Sequence, residues 1–213
     1  MYSPPQFEEQ RPEVLLQLIG AHPLATLVRQ GPDGLVADHV PLLHMPTGHA
    51  GGQGQLIGHV ARANPLWQVP PDEELLLVFQ GPQAYISPNW YATKADGGKV
   101  VPTWNYAVVH VHATLSPVHK PEALLQILAQ LTNRHEAAQT HPWQVGEAPA
   151  EFTNKLLAHI VGVRLDIRRM QGKWKVSQNQ PEANRHSVIA SLAGSSQQQD
   201  HAMSDLVRKF SPG

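Results

Sequence analysis

The chain has 213 residues, of which 41% are hydrophobic and only 15% charged, with 16 basic and 17 acidic side chains and a net charge of -1. That is enough apolar material for a core, but it gives no general field that would draw the chain to nucleic acid or anionic lipid. Cysteine is absent, which excludes disulfides, thiol nucleophiles and Cys-ligated metals.

The first residues, Met1-Tyr2-Ser3-Pro4-Pro5, carry no basic start and no apolar stretch of the signal-peptide kind. No apolar run approaches the roughly 20 residues that cross a bilayer, so a cytoplasmic protein without membrane contact is expected. A first helix is predicted from Pro12, a residue favoured in the first turn, with Leu15, Leu18 and Ile19 inward and a stop near Gly20. Two apolar runs follow, 24–30 and 35–43, separated by Gly31-Pro32-Asp33-Gly34, which reads as a hairpin. The Gly-rich stretch 48–54 reads as a flexible loop before a third strand over 55–60.

Residues 74–79 form a fully apolar run that suits a central strand, and Gly81-Pro82 then separates it from another strand at 84–87. Over 107–115 the pattern alternates, with Val109, Val111, Ala113 and Leu115 on one face and His110, His112 and Thr114 on the other. A helix from Pro121 carries Leu124, Ile127, Leu128 and Leu131 on one stripe, and another near Pro149 carries Phe152, Leu156 and Ile160. Alternation returns over 161–168, and a late helix is expected over 181–192. Beyond it, Ser195-Ser196-Gln197-Gln198-Gln199 lacks core-forming residues, so 193–213 is expected to be a flexible tail. Short strands with inserted helices, rather than strict alternation, predict an α+β protein: a β-barrel with helical decoration over 1–192.

Several strings with rare residues recur through the chain: Ala21-His22-Pro23-Leu24-Ala25-Thr26-Leu27, Asp38-His39-Val40-Pro41-Leu42 and Gly58-His59-Val60-Ala61-Arg62-Ala63-Asn64-Pro65-Leu66-Trp67. Further on stand Val78-Phe79-Gln80-Gly81-Pro82, Tyr85-Ile86-Ser87-Pro88-Asn89-Trp90-Tyr91, Val101-Pro102-Thr103-Trp104-Asn105-Tyr106 and Gly172-Lys173-Trp174-Lys175-Val176-Ser177-Gln178-Asn179. In this order, over about residues 1–192, the set resembles the PaiB-like family of FMN-binding negative transcriptional regulators. The resemblance implies an FMN-binding split barrel, a homodimer, and an FMN site at the subunit interface. It also implies a regulatory role, and DNA as a partner rests on that resemblance alone.

A cation at a strand exit, as Arg62 stands before Asn64-Pro65, suits a phosphate, because a guanidinium clamps two oxygens at once; a surface arginine capping a turn is the alternative. By resemblance Arg62 holds the FMN phosphate, with His59, Ala61 and Asn64 nearby. Thr103 and Trp104 belong to a polar-aromatic cluster in which a ligand stacks and hydrogen-bonds, or which fills a barrel end. Lys173, Ser177 and Gln178 combine a cation with hydroxyl and amide groups suited to phosphate or to a flavin's pyrimidine edge; otherwise they form a lysine-protected edge strand. His39 and Val40 lie on the strand that, in split-barrel flavoproteins, runs beside the isoalloxazine ring.

Other chemistries find less support. His110 and His112 are about 7 Å apart by strand geometry, but no carboxylate completes a metal set locally, so no metal is expected. Neither Ser87 nor Ser177 has a recognisable base or a Gly-x-Ser-x-Gly context. No catalytic residue is identified. A flavin-dependent oxidoreductase, or less favourably a haem-handling protein on the same barrel, is the alternative to a regulator. The late helix carries only Arg185 and His186 as basic groups, which is weak for a recognition helix.

Overall fold

Leucine- and valine-rich runs with period-two burial make up most of the sheet, and the computed structural model describes residues 1–46 and 53–211. The strands are β1 (Glu8–Glu9), β2 (Leu24–Gly31), β3 (Gly34–Pro41), β4 (Leu43–Met45), β5 (Gln55–Ala61), β6 (Leu75–Ile86), β7 (Thr103–Val118) and β8 (Ile160–Lys175). They form one antiparallel sheet in the order β3-β2-β6-β7-β8-β5-β4, with β1 on β8. Five α-helices stand among the described residues: α1 (Pro12–Ala21), α2 (Pro121–Glu136), α3 (Ala150–Leu157), α4 (Glu182–Ala193) and α5 (Gln198–Phe210). The architecture is α+β, as the strand-and-helix pattern predicts. The Gly-rich stretch expected as a loop falls largely on 47–52, outside the described residues.

The chain divides into two compact units. Unit 1 comprises Met1–Leu18, Gln80–Val109 and Gln171–Gly213; unit 2 comprises Ile19–Phe79 and His110–Met170.

In unit 2 the hairpin β2–β3 pairs Leu24 with Pro41 through Gly31 with Gly34. Gly34 takes φ +122°, a conformation that favours glycine at the turn. Ala25, Leu27, Leu77, Val111, Ala113, Val163 and Leu165 are fully buried. Helix α2 closes a further apolar cluster, in which Ile127 and Leu131 pack with Ile57 and Val118. Gly162 permits that closeness: a Cβ there would lie 3.0 Å from Ile127, Leu124 and Val118. The stripe expected on the next helix is reversed in part. Phe152 and Leu156 are exposed and Leu157 is the buried residue, since two turns of α3 present only one position to the core.

In unit 1, Gly81 does not end a strand as the Gly-Pro pair suggests. It is the point where β6 passes closest to its neighbours, because an added Cβ would meet Leu18 at 2.8 Å and the Ala107 carbonyl at 3.1 Å. The largest correction concerns residues 193–213. The described part, 193–211, is not a tail: α5 buries Met203 and Val207 completely, packs on α4, and sets Phe210 6.0 Å from the ring of Trp174. The spacing 203, 207, 210 is one helical stripe, hidden in the sequence behind a polar composition.

Candidate functional site

In unit 2, Arg62 follows β5 and is held by the chain that precedes β8. Its Nε donates to the Ala158 carbonyl (2.7 Å) and one Nη2 N–H to the Ile160 carbonyl (2.9 Å). The remaining guanidinium N–H groups have no partner among the described residues, so an exposed, oriented cation is left facing outward. Asn64 caps the short helical turn Pro65–Gln68 by accepting from Leu66 N (2.8 Å) and donates to Asp38 Oδ1 (2.7 Å). That bond ties the turn carrying Arg62 and Asn64 to the residue beside His39. His39 is exposed on the outer face of β3, opposite Thr26. Val40, one residue on, points the other way and is buried in the core, as strand alternation requires.

His59 and Ala61 sit at the end of β5. Ala61 is exposed, whereas His59 lines a cavity of about 300 Å³ with Leu131, His135 and Trp143 beneath α2. Burial lowers the proton affinity of His59, and its Nδ1 is buried without a hydrogen-bond partner among the described residues. His112 also has a partner that the sequence did not reveal. Its Nδ1 lies 2.9 Å from Glu74 Oε1 and 3.0 Å from Arg169 Nη2, and the His112 contact holds the Glu74 carboxyl below its usual range. Thr114, on the same alternation face as His110 and His112, is buried.

Unit 1 collects the other candidates around the end of β8. Trp104 is 54% exposed and meets Tyr85 edge-on at 6.1 Å. Thr103 accepts a short hydrogen bond from Lys175 Nζ. Ser177 adopts φ +63°, the left-handed conformation, and its hydroxyl accepts from Asn105 Nδ2 at 2.8 Å in a buried position. Two residues are engaged by the chain itself. Gln178 accepts from Val176 N (2.8 Å) and donates to the carbonyls of Trp174 and Gln6, which uses its whole amide. Lys173 is buried, donates to the Tyr2 carbonyl (3.0 Å), and lies over the rings of Tyr2 and Tyr106. Lys175, Asn105, Asp38 and Tyr85 escaped the sequence reading. For Lys175 the signal was present, because it repeats Lys173 at period two.

Over residues 1–169 the sequence matches the family model described as "Putative FMN-binding domain". The chain belongs to this FMN-binding family. Family membership covers the PaiB-like resemblance as well: the chain is 29% identical over 209 residues to "Protease synthase and sporulation protein PAI 2" of Bacillus subtilis, covering 97% of this chain and 96% of the relative. An uncharacterized protein of Aspergillus fumigatus is 31% identical over 195 residues, covering 73% of this chain and 75% of its own. Among solved structures, the FAD and haem binding protein from Mycobacterium smegmatis superposes with a TM-score of 0.56 at 19% identity, over 79% of this chain and 73% of the other. The fold is thus the flavin-binding split barrel, and the family's cofactor is FMN.

The residues present fit that cofactor. A phosphate needs a fixed cation with unused donors, which Arg62 offers. A flavin ring needs open surface with polar groups at its rim; within unit 2 the β2–β3 face that carries the exposed His39 is of that kind, and within unit 1, by itself, the exposed Trp104 beside Tyr85 is aromatic surface. No helix among the described residues is long and apolar enough to cross a membrane.

Proposed function

We propose that the chain works as an FMN-binding homodimer whose regulatory effect runs through the bound flavin rather than through direct contact with DNA. The observation that carries this reading is the Arg62 guanidinium, fixed by two backbone carbonyls with its remaining donors open. In this reading Arg62 holds the phosphate, Asn64 and Ala61 shape the turn around it, and His39 flanks the ring. Within unit 1, Thr103, Trp104 and Ser177 are separate candidates for flavin contact, with Lys173 and Gln178 as supports of the backbone there; within unit 2, Val40 and His59 support the core. When bound, FMN supplies reversible one- and two-electron chemistry at its ring.

A sheet face in unit 2 supports the dimer. Val28 pairs with Ala37 and Leu76, and Thr26 with His39 and Val78, so these residues share one face. Leu24 (59% exposed) and Leu35 (77%) extend it. Large apolar patches of this kind are rare on soluble monomers. A second copy of the chain covers this face, with the His110–His112 edge nearby. Light scattering should give a dimer at micromolar concentration; a stable monomer contradicts the assignment.

Among the described residues no helix presents a cationic face for DNA. His186 lies 3.9 Å from Glu182, Arg208 pairs with Asp205, and Lys209 donates to Gln17. The purified protein should retain FMN, bind FMN more tightly than riboflavin, and lose affinity by about tenfold or more on Arg62→Ala with its circular dichroism unchanged. Equal riboflavin binding, or full affinity in the variant, removes Arg62 from the phosphate. NADH or NADPH should bleach the bound flavin slowly, without tight operator binding. A promoter footprint that disappears when FMN is removed would show a DNA-binding repressor instead.

A further inference from the structure

At the turn end of the hairpin in unit 2, Arg29 and Asp38 lie diagonally on neighbouring strands, Arg29 opposite Val36 and Asp38 opposite Leu27. They form an ion pair, with only 7% of the Arg29 side chain and 16% of the Asp38 side chain exposed. The pair is incomplete. Arg29 Nε stands 3.5 Å from Asp38 Oδ2, and each of these atoms is buried without a hydrogen bond among the described residues. Asp38 is held off by its other oxygen, which Asn64 Nδ2 engages at 2.7 Å. A buried guanidinium left this way is costly, and the usual remedy is an acceptor that matches its fork.

Both residues line an open cavity of about 580 Å³, within the usual range of small-ligand sites. Its walls include Val36, Pro65 and Val69, and Glu73 stands at its lining as a second carboxylate. The charges restrict what fits. One cation and two carboxylates give the lining a net charge of -1, so a simple anion meets repulsion and a simple cation leaves Arg29 without its acceptor. A zwitterion satisfies both signs at once.

We propose that this cavity is a second ligand site, distinct from the flavin's, for a free α-amino acid with an apolar side chain. Its carboxylate lies on the Arg29 guanidinium, its ammonium is taken by Glu73, and its side chain rests against Val36, Pro65 and Val69. The binding is non-covalent, and through Asn64 it reaches the turn that carries Arg62.

Calorimetry on the full chain with three probes tests it: L-leucine, 4-methylpentanoate (no amine) and L-leucinamide (no carboxylate). Leucine should bind saturably at one per chain, and each analogue about tenfold or more weakly, because each loses charge-assisted hydrogen bonds. Arg29→Gln should abolish leucine binding. Should that variant fail to fold, Glu73→Gln at the cavity rim decides: it should weaken leucine while leaving 4-methylpentanoate unchanged or tighter. No saturable leucine binding at millimolar concentration, equal binding of the three probes, or a Glu73→Gln effect shared by all three overturns the proposal.

Discussion

Of the thirteen histidines only His186 and His201 belong to unit 1, which leaves eleven in unit 2. Unit 1 buries a different set of polar groups: Lys173, Asn105, Ser177 and Asn184. Asn105 and Ser177 answer one another, Asn184 accepts from the Thr93 amide (3.0 Å) and hydroxyl (3.1 Å), and Lys173 is shared by a carbonyl and two rings. Asn105, Ser177 and Asn184 carry no group that ionises between pH 5 and 8. In unit 2 the proton affinities of His22, His59 and His110 are all lowered, each first of all by burial. One unit therefore carries hydrogen-bonded polar groups in its interior and the other three histidines whose charged form is disfavoured by burial. The difference ties mild-acid sensitivity to unit 2 and conformational definition to unit 1.

The strongest way to break this contrast is to cut the chain after Gly194. The truncation removes α5 with its fully buried Met203 and Val207, and should cost about 3–6 kcal/mol in urea denaturation. A mobile tail would cost nothing. Next comes Asn105→Ala, which leaves the buried Ser177 hydroxyl without its donor. A loss of about 1–3 kcal/mol is expected, independent of pH between 5 and 8.

The histidines give a smaller effect with a characteristic sign. Their folded pKa values lie below the ordinary 6.5, so between the two values the unfolded chain binds more protons than the folded one. The contribution is intact above about pH 6.5 and is lost as the pH falls below it. His59→Phe should flatten the stability profile on that acid limb; an unchanged slope would detach His59 from the effect. In unit 1 the Glu9 carboxyl, lowered chiefly by its hydrogen bond from Arg11, holds its contribution until the pH falls below 4.5, so its loss comes later in an acid titration. The smallest change is Glu151→Gln on α3, where the pair with Lys155 is mostly in water: within about 0.5 kcal/mol by thermal melting.

Much of the barrel was legible because its strands obey period two and its hairpin announces its turn. Val109, Val111, Ala113 and Leu115 are buried as their alternation requires. Boundaries failed where a residue's reason was tertiary. Gly81 reads as a break and is a close approach; α5 reads as polar low complexity and hides a three-residue stripe. At the candidate site the residue types were legible and their commitments were not. Gln178 and Lys173 have ligand chemistry in isolation, yet the backbone carbonyls they satisfy lie far away in sequence, at Gln6 and Tyr2. Arg62 could be singled out because a cation at a strand exit is a local pattern; the carbonyls of Ala158 and Ile160 that hold it lie far off in sequence. The Arg29–Asp38 pair was missed because its diagonal geometry exists only once the strands are in register.

The borders between the two units fall at Leu18, Phe79, Val109 and Met170, inside α1, β6, β7 and β8 respectively. No linker marks any of the four passages. A gene cannot therefore gain, lose or exchange one unit by a single splice, and neither unit can be expressed alone without severing regular structure.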